Sequence, residues 1–180
     1  IRTNADWPKP AGLSLADKTA GLIGYGDIGR NVARRMLAAD MKVQAYDPVY
    51  TSNDDQAVTA LNWPDGIDRC DFLVFTAPLT PQTHHMFNHE MLSLVRPGVR
   101  IVNVGRGPVI QQSALIEGLG DGRIHSVALD VFEVEPLAAD NPLRGFSDNI
   151  FGSHNASNTV DAVHRVSLKT IEMISDFLKP

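Results

Sequence analysis

Six residues constrain the fold of this chain more than any others. Gly24-Tyr25-Gly26-Asp27-Ile28-Gly29 comes directly after a short apolar run, Thr19-Ala20-Gly21-Leu22-Ile23. It opens a stretch, residues 27–39, in which Ile28, Val32, Met36 and Leu37 recur near helical spacing. Strand, glycine turn and helix in that order make a cradle for a pyrophosphate. The first glycine permits the tight turn, the second lets phosphate approach the backbone, and the third lets helix and strand pack closely. The start of the helix adds unpaired N–H groups and the positive end of its dipole. Asp47 ends the next apolar run, residues 42–46. A carboxylate there can accept both ribose hydroxyls of an adenosine and repels a 2′-phosphate. No Gly-Lys-Ser/Thr follows the turn, which excludes a P-loop. A methyltransferase also combines a glycine loop with an acid after its second strand, so this half of the chain leaves the cofactor open.

The alternation continues to the C-terminus. Residues 63–69 read as a helical turn, and Phe72-Leu73-Val74-Phe75 as a buried strand. Asn88 reads as the N-cap of a helix, with Glu90 in its first turn, that runs to Val95 and is ended by Pro97-Gly98. Further strands are expected at 101–104, 126–129 and 149–151, with a helix over 111–119 stopped by Gly120. The longest helix, 160–178, closes the chain, and its apolar face is expected to be core or subunit contact. Short apolar strands alternating with helices predict an α/β fold: a Rossmann-type, doubly wound parallel sheet in three layers, α/β/α. The 180 residues fit one domain, expected over 13–180 after a linker at 1–12 marked by Trp7-Pro8-Lys9-Pro10. In such sheets ligands bind outside the carboxyl ends of the strands, so the chemistry is sought just after each strand.

Sixteen Lys and Arg against 21 Asp and Glu give a net charge of −5, which argues against a nucleic-acid or anionic-membrane surface. No apolar run approaches the roughly 20 residues of a membrane span. The single cysteine, Cys70, allows neither an internal disulfide nor a cysteine-based zinc site, and it reads as a small apolar filler beside a strand. A reducing, cytoplasmic location follows as the expectation. The chain starts at Ile1 with no charged-then-apolar leader, and is expected to be cut from something longer.

Three more features follow strand ends: Val104-Gly105-Arg106-Gly107; Asp130 with Val131-Phe132-Glu133-Val134-Glu135-Pro136; and Gly152-Ser153-His154-Asn155-Ala156-Ser157. An Arg, acids and a His are thereby expected at one edge of one sheet. His85 and His89 stand four apart, a metal spacing on a helix. With Asn88 as the helix start, His85 falls outside it and no acid completes the set, so no metal site is expected.

These motifs, GYGDIG, Asp47 in YDP, APLTPQT, VNVGRG, LDVFEVEP and SHNAS, resemble the D-isomer-specific 2-hydroxyacid dehydrogenases from about Leu13 to the last helix. The nearest flavour is the phosphoglycerate-dehydrogenase-like branch. The resemblance implies an NAD-dependent oxidoreductase moving a hydride between NAD and a D-2-hydroxy acid or its 2-oxo acid, 3-phosphoglycerate-like acids included. It implies that Arg106 binds the substrate carboxylate and polarises the reacting oxygen. His154 is the implied general acid/base. Glu135, placed immediately before Pro136 where its rival Glu133 is not, is the implied partner that fixes the imidazole tautomer and raises its pKa. The cofactor is implied to lie against Gly24, Gly26, Asp27, Ile28, Gly29, Asp47, Pro78, Thr83, Val104, Gly105, Asp130 and His154, with Asp130 near the nicotinamide. Gly105 departs from the small side chain many relatives carry. The family's second lobe, which completes the substrate cleft, is expected to be missing, so this chain alone is expected to be nearly inactive. A homodimer and a small 2-hydroxy or 2-oxo acid are the implied partners. The competing reading is a non-catalytic NAD-binding module for regulation or assembly. The late Arg/Glu/His set speaks against a methyltransferase.

Overall fold

The computed structural model describes residues 11–51 and 57–179. Seven parallel strands form one sheet: β1 (Thr19–Ile23), β2 (Lys42–Tyr46), β3 (Val58–Ala60), β4 (Phe72–Phe75), β5 (Val99–Asn103), β6 (Ile124–Leu129) and β7 (Ile150–Phe151). Their order is β3-β2-β1-β4-β5-β6-β7. The chain walks outward from β1 to β3, then returns to the other side of β1 and walks outward again to β7. The direction reverses between β1 and β4, and a crevice opens at their carboxyl ends, where open sheets bind ligands.

The register turns that topology into a site. Ile23 pairs with Tyr46 on one side and Phe75 on the other. Phe75 pairs with Asn103, Asn103 with Leu129, and Leu129 with Phe151. These six residues form one row across the sheet, and each functional loop starts one residue beyond it, at Gly24, Asp47, Thr76, Val104, Asp130 and Gly152.

Strand alternation sends successive side chains to opposite faces. Ile23, Leu73, Phe75, Ile101, Val127 and Leu129 pack with α2 (His89–Leu94) and α3 (Gln112–Gly120) through Met91, Leu92 and Leu115. Leu22, Val43, Ala45 and Val74 face the other way and pack with α1 (Asp27–Leu37) through Ala33. The three-layer α/β/α expectation therefore holds. Phe75 is fully buried and meets the Phe87 ring edge-on at 5.9 Å. Burying a side chain of that size stabilises the fold by about 1.5–3 kcal/mol.

Local signals act where they were read. The Asn88 side chain accepts from the N–H groups of Glu90 and Met91, capping α2. Several boundaries differ. Gly120 does not stop α3 but is its last residue; Asp121 is the C-cap and Gly122, at φ 77°, takes the left-handed position that glycine alone adopts without cost. The expected turn at 63–69 tightens to a 3-10 turn at Ile67–Arg69. β5 and β6 begin earlier than expected, at Val99 and Ile124. The three-residue edge strand β3 was not foreseen, because so short a run shows no period.

The last helix, α4 (Val160–Phe177), forms as expected but buries none of its residues. Its apolar positions, including Val163, Val166, Ile171 and Ile174, stay exposed, so the core reading of this helix is overturned. Of the expected linker, residues 1–10 lie outside the described residues, and Ala11 and Gly12 are exposed without regular structure.

Candidate active site and cofactor cleft

The glycine turn is built by contact. Gly24 sits at φ 92°, and a Cβ there would come within 2.8 Å of the Ala77 nitrogen on the loop after β4. A Cβ on Gly29 would come within 2.3 Å of the Gly24 carbonyl oxygen, so only glycine lets α1 start this close to β1. Thr76, which the sequence reading passed over, donates from Oγ1 to the Gly24 carbonyl at 2.9 Å and ties the turn to β4. Its only signal was its place one residue past an apolar strand. Asp27 and Ile28 are exposed in the first turn of α1.

Asp47 pins the same turn from the other side. Its Oδ2 accepts from the Tyr25 N–H at 2.8 Å and its Oδ1 from the Val49 N–H at 3.0 Å. A carboxylate has about four acceptor sites, so each oxygen keeps capacity for a hydroxyl. Tyr25 and Tyr50 pack ring to ring at 4.3 Å beside it, with the Arg30 guanidinium 4.8 Å from the Tyr25 centroid.

Pro78 and Thr83 belong to one closed turn. Thr83 Oγ1 donates to the Pro78 carbonyl at 2.7 Å and accepts from the Thr80 N–H at 2.8 Å. After β5, Val104 is half-buried and Gly105 buried, a Cβ on the latter meeting the Ala77 carbonyl at 2.7 Å. Asn103, a second residue without a motif of its own, is the buried polar residue of the core among the described residues. Its Oδ1 accepts from the Gly105 N–H at 3.0 Å and its Nδ2 donates to the Arg106 carbonyl at 3.1 Å. A lone amide in an apolar strand was the available signal. Arg106 is exposed, and its guanidinium donates to the Gly105 carbonyl at 2.7 Å.

Asp130 organises the turn after β7. Its two oxygens accept from the N–H groups of Asn155 and Ala156 at 3.0 and 2.9 Å, and its carbonyl accepts from His154 N–H at 2.8 Å. His154 itself sits at φ 58°. Its Nδ1 lies 2.8 Å from Glu135 Oε2, and Glu135 Oε1 accepts from the Phe132 N–H at 2.9 Å. The hydrogen bond from His154, then that from Phe132, hold the Glu135 carboxyl below the usual carboxylate range, with the nearby Arg106 charge adding to both. An ionised carboxylate only accepts, so Nδ1 donates and Nε2 is left without a partner among the described residues. Both side chains are partly open, 48% for His154 and 37% for Glu135. They line a cavity of about 750 Å³ together with Asp130, Phe132, Phe151 and Ser153.

The structure therefore joins Glu135 to His154, while the Arg106 charge reaches Glu135 only as the smallest of the influences that hold its carboxyl low. Glu133 is joined instead to His85. His89 contacts Glu117 at 2.9 Å and Ser113 at 3.0 Å, and no group of three or more metal-ligating side chains occurs among the described residues. Cys70 is buried, and burial pushes its thiol up to about 11. No helix among the described residues is long and apolar enough to cross a membrane.

A dinucleotide fits this edge. A Cβ on Gly26 would meet nothing within 4 Å, so the turn opens onto free space where its flanking glycines are tightly packed. The N-terminus of α1 has no side-chain cap, which leaves its N–H groups and dipole for phosphate.

The NAD binding domain model of the D-isomer specific 2-hydroxyacid dehydrogenases matches residues 2–156. A hydroxypyruvate reductase of Thermotoga maritima is 38% identical over 172 residues, covering 93% of this chain and 56% of that protein. A D-3-phosphoglycerate dehydrogenase of Methanocaldococcus jannaschii is 37% identical over 173 residues, covering 93% of this chain and 32% of that protein. A D-lactate dehydrogenase of Aquifex aeolicus, solved with NAD and lactic acid, superimposes with a TM-score of 0.85 at 28% identity, over 98% of this chain and 58% of its own. The chain thus spans 56% or less of the length of these two curated relatives.

Proposed function

This chain belongs to the D-isomer specific 2-hydroxyacid dehydrogenase family as its NAD binding domain, and from that premise we propose that the whole protein oxidises small D-2-hydroxy acids, or reduces their 2-oxo counterparts, with NAD. The observation that carries the proposal is the 2.8 Å bond between His154 and Glu135 at the sheet edge that also holds the glycine turn. Glycine turn and Asp47 alone would suit several nucleotide-binding activities; an imidazole fixed by a carboxylate with its second nitrogen free is the equipment of proton transfer.

The residues divide the work as follows. Gly24, Gly26 and Gly29, with the first turn of α1 at Asp27 and Ile28, hold the pyrophosphate, and Asp47 takes the adenosine ribose. The turn of Pro78 and Thr83, with Val104, Gly105 and Asp130, flanks the nicotinamide half. NAD, when bound, supplies the hydride acceptor. Arg106 leaves the Gly105 carbonyl to grip the substrate carboxylate, a match for its planar fork. His154 accepts the hydroxyl proton at Nε2, and Glu135 keeps Nδ1–H oriented and stabilises the cation that forms.

Asp47 gives the cofactor test. A carboxylate about 4 Å from a 2′-phosphate is opposed by about 4 kcal/mol per unit charge at an effective dielectric of 20, and solvent reduces this. Calorimetric titration is expected to show NADP at least about tenfold weaker than NAD. Equal or tighter NADP binding removes the role assigned to Asp47.

The whole protein is further proposed to be a cytoplasmic homodimer. The exposed apolar stripe of α4 supports an interface, and a buried free cysteine suits a reducing compartment. Light scattering of the full-length protein is expected to give twice the monomer mass; a monomer at high concentration overturns it.

A further inference from the structure

We propose that His85 and Glu133 are a positioning pair that sets the loop 131–136, and through it places Glu135 against His154. The proposal rests on the reading of His154 and Glu135 as the proton-transfer pair.

The loop has no helix or strand of its own. Two anchors hold it. The first is apolar: Val131 and Phe132 are buried, and the Phe132 ring meets Phe151 edge-on at 5.6 Å. The second is the Glu133 carboxylate, which grips two separate parts of the fold. Its Oε2 accepts from the Gln112 N–H at 3.0 Å, at the start of α3. Its Oε1 accepts from Nε2 of His85, 48 residues away in sequence. Two residues later Glu135 reaches His154, while Val134 between them is exposed. Glu133 is thus the polar fixture on one side of Glu135, whose own Oε1 is held by the Phe132 N–H at 2.9 Å.

His85 is itself placed firmly. Its N–H donates to the Pro108 carbonyl at 2.8 Å, its φ is 49°, and its ring stacks on that of His84 at 3.9 Å. The His85 and Glu133 side chains are 31% and 28% exposed, which keeps part of their attraction out of bulk solvent. His85 also ends the turn that Thr80 and Thr83 close. The pair therefore ties the turn proposed to flank the cofactor directly to the acid loop. A merely structural tether would change stability alone. This one is expected to change the environment of a carboxylate it does not touch, since Glu135 is held low first by His154 and then by Phe132 N–H, with Arg106 adding its charge.

The test follows the Glu135 carboxyl by carbon-13 NMR titration in the 180-residue chain, in His85→Phe, His85→Gln and His154→Ala. His154→Ala removes the direct bond and is expected to move the Glu135 midpoint upward. His85→Phe keeps a ring beside His84 but no donor, and is expected to move it upward as well. His85→Gln retains a donor toward Glu133 and is expected to leave it low. If His154→Ala shifts Glu135 and His85→Phe does not, the positioning role is overturned while the pair stands. If His154→Ala leaves Glu135 unmoved, the underlying pair itself fails. Should His85→Phe not fold, Glu133→Gln replaces it: an upward shift supports the role, and no shift overturns it.

Discussion

His154→Ala in the full-length protein is expected to lose about 10²–10⁴-fold in turnover while keeping most of its affinity for NAD. The loss has one cause: the proton acceptor at Nε2 is gone, and water replaces it poorly. The affinity is largely kept because the turn proposed to hold the pyrophosphate and ribose lies elsewhere, and removing the imidazole takes away only one contact at the nicotinamide end. The glycine turn is held by Thr76 and Asp47, neither of which touches the imidazole. The turn around position 154 is held by Asp130, whose carbonyl accepts from the His154 N–H and whose carboxylate accepts from the N–H groups of Asn155 and Ala156. Steady-state turnover with a 2-hydroxy acid, paired with calorimetric titration of NAD, checks both halves. Wild-type turnover in the variant would end the proposal that His154 moves the proton.

Gly107→Ala is expected to be the most damaging single methyl in the site. A Cβ there would stand 1.7 Å from the Phe132 carbonyl oxygen, 2.0 Å from its carbon and 2.6 Å from the Glu133 nitrogen. All three are backbone atoms, so no side chain can swing aside. The acid loop must move as a body, taking Glu133 from His85 and Glu135 from His154. Overpacking typically costs about 1–3 kcal/mol and occasionally more. At about 3 kcal/mol a domain of this size loses roughly 6–12 °C in melting temperature. Gly120→Ala is the control: a Cβ there meets nothing within 4 Å, and alanine in a helix is worth up to about 1 kcal/mol over glycine. Thermal unfolding followed by circular dichroism separates the two, and equal melting temperatures would contradict the packing argument.

Much of the fold is legible in the sequence alone. β1 and β2 fall where apolar runs end in glycine or acid, β4 where four apolar residues run unbroken, and Asn88 caps α2 as its side chain chemistry requires. The glycine turn lies between strand and helix as its spacing demands. These are local properties: backbone propensity, period and capping act over a few residues, and the sequence displays them directly. The α4 stripe shows where that ends, since a helical period reveals an apolar face but not what covers it.

The pairings of the site belong to the other class. Glu133 and Glu135 sit two residues apart in a loop with no period, and only the rule of the acid before proline distinguished them. The structure separates them by bringing His85 to one, 48 residues away, and His154 to the other, 19 away. His85 lies outside α2, which begins at His89 as the Asn88 cap predicts, but that the two imidazoles go to different acids is visible only in the structure. Sequence by itself determined the class of fold, the cofactor turn and the residue types at the strand ends. Tertiary structure decided which acid meets which histidine, because that depends on strand order and register, set by the packing of the whole sheet rather than by any neighbour in the chain.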